Sequence, residues 1–537
     1  MDIQAVGRRV VDVVIVGAGF GGLYAIHRLR GMGLSVLALE AGSDIGGTWF
    51  WNRYPGARCD VSSIEYSYSF SDALVNEWTW TERFAAQPEI LDYINFVADK
   101  FRLRDNVVLN RTVTSMDFDS GSNSWTVNTD KGDSIRARYC ILATGPLSKP
   151  QKPVIPGTEE FAGQCYHTGD WPHHPVDFSG LQVGVIGTGS SGIQAIPQIA
   201  QQAEHLYVFQ RTPNFSAPAR NRPLSADDIR RARETFAEVR AYAKRTKMGI
   251  GLYATTAWSA LELNESERQE VLEAFWEKGG LEFLRAFPDL LINAKANDVA
   301  AEFVREKIRH VVNDRDVADL LAPTDHYIGA KRLCSDTSYF ETFNRTNVTL
   351  VDIRKHPIES ITPQGLRTSE REFALDAIVF ATGYDALTGA IDAIKITTDG
   401  KDSVRARWTR GPTTYLGMMV SGFPNLFILA GPGSPSILGN VIVILEYQVE
   451  WIRDLLTRML GQRLTRVEPE ASAEEEWVNT VRQAAERTLR ADAKSWYTGA
   501  NIPGKPRVFL PYSGGFDAYI QKCDSVAKDN YAGFVLA

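Results

Sequence analysis

Two glycine-rich turns, each closing an apolar run and opening a helical pattern, constrain this chain more than any other feature. Residues 10–16 are mostly apolar and end in Gly17-Ala-Gly19-Phe20-Gly21-Gly22, and residues 23–29 then carry a helical apolar period. Residues 183–186 end in Gly187-Thr188-Gly189-Ser190-Ser191-Gly192, followed by a helical run over 193–200. In a dinucleotide fold the first glycine permits the tight turn and the second lets a pyrophosphate approach the backbone. The third lets helix pack on strand, and the helix start presents unpaired N–H groups to the phosphates. One such turn arises easily by chance in buried α/β units. Two, each between an apolar strand and a helix, predict an α/β chain with two Rossmann-like dinucleotide-binding domains.

The two turns differ where a ribose would lie. After the first, Val36-Leu-Ala-Leu-Glu40 ends in a carboxylate at the spacing that accepts from ribose hydroxyls and repels a 2′-phosphate. After the second, Leu206-Tyr-Val-Phe-Gln-Arg211-Thr212 has no acid there, and Arg211 offers a planar fork of donors suited to phosphate. The first site therefore suits FAD or NAD, the second NADP.

A chain of 537 residues exceeds a single core, so several domains are expected. A net charge of −7 gives no footprint for nucleic acid, and no basic block marks a membrane patch. Cys59, Cys140, Cys165, Cys334 and Cys523 are scattered and form no CxxC pair, which points to a reducing cytoplasmic setting and away from a redox disulfide. The histidines show no metal spacing, so no metal is expected, and no apolar run is long enough to span a bilayer. Nothing in the sequence fixes the oligomeric state, and a monomer is the working expectation.

Cys140-Ile-Leu-Ala-Thr-Gly145 and Ala377-Ile-Val-Phe-Ala-Thr-Gly383 are both apolar strands closed by Ala-Thr-Gly, as at crossings between nucleotide units. They imply a nested layout, with one domain at 1–145 and 384–537 and a second at 150–223 and 332–383. Between them, 224–331 reads as a helical insertion in the second domain. Ser225-Ala-Asp-Asp, Asn264-Glu-Ser-Glu and Asn297-Asp are expected to start helices over 229–242, the run after 264, and 299–311.

Two longer patterns add chemistry. Phe161-Ala-Gly163-Gln-Cys-Tyr-His167-Thr-Gly-Asp-Trp171-Pro172 reads FxGxxxHxxxWP. Gly46-Gly47-Thr-Trp49-Phe-Trp51-Asn-Arg53-Tyr54-Pro55-Gly56-Ala-Arg58-Cys-Asp60 reads GGxWxxxxYPGxxxD. Together they resemble the fingerprints of the FAD- and NADPH-dependent Baeyer–Villiger monooxygenases, and the resemblance covers nearly the whole chain. Ala430-Gly-Pro-Gly-Ser-Pro-Ser436, Glu450-Trp451 and the run from Ser495-Trp496 to Pro506 are most similar to the phenylacetone and steroid monooxygenase subgroup.

The resemblance implies that NADPH reduces FAD, that O₂ adds to give a flavin C4a-peroxide, and that this attacks a ketone to yield an ester or lactone. It implies FAD contacts from Gly17, Gly19, Phe20, Gly22 and Glu40, from Gly47, Thr48, Trp49, Asp60 and Tyr66, and from Val113 and Val441. It implies NADPH contacts from Gly187, Thr188, Gly189, Ser190, Ser191 and Gly192, and from Arg211, Thr212, Lys331, Arg332 and Trp496. Arg332 matches the family's active-site arginine and Asp60 the carboxylate that orients it. An arginine suits a developing oxyanion because it does not deprotonate at any working pH.

His167 titrates near neutrality, yet its place on the connector favours a structural or coupling role over proton transfer. Trp171 reads as a packing anchor. Residues 436–441 align with the substrate pocket and depart from the phenylacetone enzyme, so ketone size stays open. The partners implied are a small-molecule ketone and O₂, without nucleic acid or membrane. The alternative is a flavin-dependent N- or S-oxygenating monooxygenase, which shares both turns but usually lacks the Trp-Pro ending and the Lys331-Arg332 pair.

Overall fold

The computed structural model describes residues 8–251, 255–491 and 493–537. Residues 1–7 of the expected first segment, 252–254 of the insertion and 492 lie outside the described residues. The first sheet has nine strands. Its parallel centre is Val107–Val108, Val36–Leu39, Arg8–Val16 and Ser134–Leu142, in that spatial order. Val13, Val14 and Ile15 are fully buried, as a parallel strand covered on both faces requires.

Ser134–Leu142 serves two neighbours on one edge. Its start pairs antiparallel with Ser124–Thr129, and its end pairs parallel with Leu426–Ile428. Beyond these lie Val113–Asp119 and Lys395–Thr398, so one sheet is assembled from both ends of the chain. The second sheet is wholly parallel: Val348–Asp352, His205–Gln210, Gln182–Ile186, Ala377–Phe380 and Gln164–His167. All five strands fall between Ser134–Leu142 and Lys395–Thr398 in the chain.

The two passages between sheets run side by side. Gly145 and Gly383 adopt φ of +74° and +81°, which a side chain would strain. Gln151 N–H donates to the Gly383 carbonyl at 2.8 Å, and the Thr382 hydroxyl donates to the Gln151 carbonyl at 2.5 Å.

The insertion contains Ala226–Ala243, Glu265–Lys278, Ala294–Val311 and Arg315–Leu321. Ser225 with Asp228 and Asn264 with Glu267 form reciprocal capping boxes. Asn297 does not start its helix, contrary to expectation. The cap is Asn293, and Asn297 lies buried one turn in. Its side chain donates to the carbonyls of Leu290 and Ile328 and accepts from Ile328 N–H, which braces the turn before Lys331.

Nor is the insertion one body on the second sheet. Its later helices share that sheet's core through Leu272, Phe275, Phe303 and Val304. Ala226–Ala243 instead ties to the first unit, where buried Arg240 donates to the carbonyls of Glu65 and Ser67. No helix among the described residues is long and apolar enough to cross a membrane.

Candidate active site

The first glycine turn is tight because nothing larger fits. Gly17 has φ +103°, and a Cβ on it would lie 2.6 Å from the Ala143 carbonyl oxygen. A Cβ on Gly22 would lie 2.0 Å from the Gly17 carbonyl oxygen, so turn and helix touch backbone to backbone. Gly19 caps the helix Phe20–Arg30, and Gly47 (φ +54°) presses its Cα against it. Glu40 is buried and accepts from Ala18 N–H at 2.7 Å and Gly42 N–H at 2.8 Å. Burial raises its pKa and those two N–H groups oppose the rise. Glu40 thus braces the turn through both carboxylate oxygens.

Thr48 and Trp49 open the short helix Thr48–Trp51 directly after Gly47. Trp49 donates its indole N–H to the Tyr66 hydroxyl at 3.2 Å, and Tyr66 meets Phe20 edge to face. Val113 begins its strand with its side chain buried in the core beneath the sheet. Val441 is the first residue of Val441–Gln462, which places another helix start at this site.

The second turn repeats the device. A Cβ on Gly187 would lie 2.5 Å from the Ala381 carbonyl oxygen, and one on Gly192 would lie 2.3 Å from the Gly187 carbonyl oxygen. A Cβ on Gly189 would meet nothing within 4 Å, so the backbone there is open to an approaching pyrophosphate. Thr188 donates to the Thr212 carbonyl at 3.0 Å, Ser190 lies 3.2 Å from the Cys334 sulfur, and Thr168 donates to Ser191 at 3.1 Å. Arg211 is exposed just past the strand end. Burial lowers the Lys331 pKa, Asp325 opposes this, and the charge of Arg211 lowers it further. The second turn thus has two cationic side chains in its electrostatic reach, which suits an anion. Both cradles fit dinucleotides.

Between the cradles Arg332 forks onto Asp60. Its Nε and Nη2 each donate to a different carboxylate oxygen at 2.8 Å, and Nη1 donates to the Ile437 carbonyl at 2.9 Å. Three of its five N–H groups are thereby engaged, and the Tyr497 hydroxyl is a further partner of this guanidinium. Burial works against this cation, but the charge and hydrogen bonds of Asp60 prevail and hold its pKa above the ordinary arginine value. The Ile437 carbonyl comes from the turn Ser436–Leu438, where a Cβ on Gly439 would strike the Met248 carbonyl oxygen at 2.2 Å. Asn440 then caps Val441–Gln462 and donates to the Glu65 carbonyl at 2.8 Å.

Trp496 packs at a tilt against Tyr497, with ring centroids 4.4 Å apart, beside Ile437, Leu438 and Leu510. Tyr497 and Arg490 are two residues that the sequence did not disclose. Burial raises the Tyr497 pKa, while the charges of Arg332 and Arg490 both pull it down. His167 is 4 % exposed; its Nδ1 accepts from Gly169 N–H at 3.0 Å, which assigns the proton to Nε2, 3.2 Å from the Gln151 carbonyl. Trp171 stacks on Tyr166 at 5.2 Å and is buried.

Fold and site together define a flavin- and nicotinamide-dependent oxidoreductase. Residues 14–251 match the family described as pyridine nucleotide-disulphide oxidoreductase. The chain is 41% identical over 542 residues to the 2-oxo-Delta(3)-4,5,5-trimethylcyclopentenylacetyl-CoA monooxygenase of Pseudomonas putida, covering 98% of each. It is 39% identical over 543 residues to a Baeyer-Villiger monooxygenase of Pseudooceanicola batsensis, covering 100% of this chain and 98% of that one. A solved structure of oxidized steroid monooxygenase bound to NADP superposes with a TM-score of 0.94 at 48% identity, covering 98% of this chain and 99% of the other. The chain belongs to the Baeyer–Villiger monooxygenases that use FAD and NADPH.

Proposed function

We propose that this enzyme converts a ketone, O₂, NADPH and a proton into an ester or lactone, NADP⁺ and water. In this reading 1–145 with 384–537 holds FAD, 150–223 with 332–383 holds NADPH, and 224–331 is the insertion. The residues named for each cofactor line those cradles. FAD reduced by NADPH supplies the hard chemistry, which is to turn O₂ into the oxidant that attacks the carbonyl.

The observation that carries the reading is the Arg332 fork. Its engaged N–H groups fix the plane of the guanidinium on Asp60 and the Ile437 carbonyl. The N–H groups of Arg332 not turned to Asp60 or Ile437 then hold the oxyanion that develops on the former carbonyl oxygen, with the guanidinium already in place. Asp60 orients Arg332. Leu387, Ile437, Leu438 and Leu510 cluster apolar surface beside the fork, and Trp496 packs against them, which excludes water. Five free thiols, four of them buried, suit a reducing cytoplasm. Purified FAD-loaded protein incubated with NADPH and a panel of ketones should yield esters or lactones by mass spectrometry. NADPH oxidation without ester from any ketone would refute the reading.

A further inference from the structure

Tyr384 follows Gly383 on the second passage between the sheets, and the parts it touches come from distant stretches of the chain. Its hydroxyl donates to the Asn52 side-chain oxygen. Asn52 closes the short helix Thr48–Trp51, and its backbone N–H and side-chain NH₂ both donate to the Thr48 carbonyl, at 2.9 and 2.8 Å. With the NH₂ so engaged, the amide oxygen is turned to the phenol and the bond runs in one sense. At the other end of the residue, the Tyr384 carbonyl accepts from the Asn501 side-chain NH₂ at 2.7 Å. Lys505 extends that attachment: it pairs with Asp385 and donates to the Ala386 carbonyl at 3.3 Å. The segment that carries Trp496 is therefore tied to residues 384–386.

The tyrosine is held between these two attachments. Gly169 lies against its ring, where a Cβ would come within 2.6 Å of Cε1 and 2.8 Å of the hydroxyl. Pro150 bridges to Tyr384 across the two passages, and Asp385 N–H donates to the Lys149 carbonyl at 2.9 Å. Burial raises the phenol pKa, with the bond to Asn52 opposing, so the hydroxyl keeps its proton and remains a donor.

We propose that Tyr384 is a positioning residue for flavin reduction. Through Asn52 and Asn501 it fixes the spacing across which a hydride passes from NADPH to FAD, leaving NADP⁺ and reduced FAD. This rests on the cofactor assignment above, in which Thr48 contacts FAD and Trp496 contacts NADPH; it needs no ketone. Such a transfer requires the reacting atoms in near contact, and a misplacement of about 1 Å can cost roughly 10²-fold in rate.

Anaerobic stopped-flow at saturating NADPH reads the reduction rate, and hydrogen exchange over residues 46–56 reads the flavin segment directly. Tyr384→Phe keeps the ring against Gly169 and the carbonyl for Asn501. It should slow reduction by about tenfold while Kd for NADP⁺ stays within about twofold of wild type. Asn52→Ala removes the same bond from the other side and should be at least as slow. Adding Tyr384→Phe to Asn52→Ala should cost nothing more, because the shared bond is already gone. Exchange over 46–56 should be faster than wild type in all three variants. Wild-type reduction in Tyr384→Phe overturns the proposal, as does a loss confined to NADP⁺ affinity or single losses that multiply in the double variant. If Tyr384→Phe does not retain FAD, exchange in the apoproteins decides: unchanged protection of 46–56 overturns the proposal, and a loss of protection concentrated there supports it. A wild type that NADPH does not reduce would overturn the cofactor assignment and this proposal with it, whereas a reducible wild type matched by Tyr384→Phe would overturn this proposal alone.

Discussion

A guanidinium that is forked onto a carboxylate, with N–H groups not turned to it, is a preorganised donor, and its removal is felt in the transition state more than in the ground state. Arg332→Ala should keep bound FAD and its reduction by NADPH while ester formation falls by about 10²–10³-fold, or about 3–4 kcal/mol. Stopped-flow reduction and product analysis on one preparation check this, and undiminished ketone turnover would remove Arg332 from the chemistry. Arg211 and Lys331 give a second test. Asp325 offsets part of their positive charge and a 2′-phosphate would offset more, so NADPH should be strongly preferred to NADH. Arg211→Ala should raise KM for NADPH by about tenfold and leave KM for NADH nearly unchanged, as loss of one charged contact implies. Equal KM values for the two coenzymes in the wild type would contradict the assignment.

At the scale of elements, both glycine turns depend on backbone touching backbone. The missing Cβ of Gly22 would lie 2.0 Å from a carbonyl oxygen, against 2.3 Å for Gly192. Neither carbonyl can retreat without moving its strand, so overpacking of roughly 1–3 kcal/mol or more is expected at each. Gly22→Ala should lose bound FAD, seen as a colourless protein with a lower Tm. Gly192→Ala should stay yellow but weaken NADP⁺ binding in a titration; a fully yellow Gly22→Ala enzyme would sink this account.

These turns were legible in the sequence because their chemistry is local, with glycines, strand and helix in one short run. The repeated Ala-Thr-Gly endings lie at the two passages between the sheets, although no local signal disclosed that Leu426–Ile428 shares an edge with Ser124–Thr129. Asn297 misled because Asn293 and Asn297 both precede helix formers, and only packing chose the earlier one. Tyr497 and Arg490 were invisible for a different reason. Arg490 meets Gly329 across 161 residues, and no spacing rule reaches that far. Arg240 likewise reads as one more surface arginine on a polar helix until its carbonyl partners at Glu65 and Ser67 are seen.

Across the whole molecule, the two sheets are joined by the side-by-side passages near Gly145 and Gly383, and His167 adds a side chain to the bonds that fasten them. Its Nε2 lies 3.2 Å from both the Gln151 carbonyl and the Thr382 hydroxyl, one on each passage. Burial lowers its pKa from the ordinary 6.5; the bond to Gln151 opposes this, Lys152 adds to the fall and Asp170 opposes it. Below pH 6.5 the unfolded chain therefore takes up a proton that the folded protein refuses. The stability from neutral His167 is fully present above that pH and is lost as pH falls toward its lowered folded value. The slope contributed is at most about 1.4 kcal/mol per pH unit. His167→Gln keeps a donor but cannot titrate. It should be less stable than wild type at pH 7.5, and its Tm should fall less steeply between pH 7 and 5.5. His27, His173 and His326 are also lowered by burial and titrate in both proteins, so the difference in slope isolates His167. Parallel Tm profiles would show that protonation at this joint does not govern how the two units hold together.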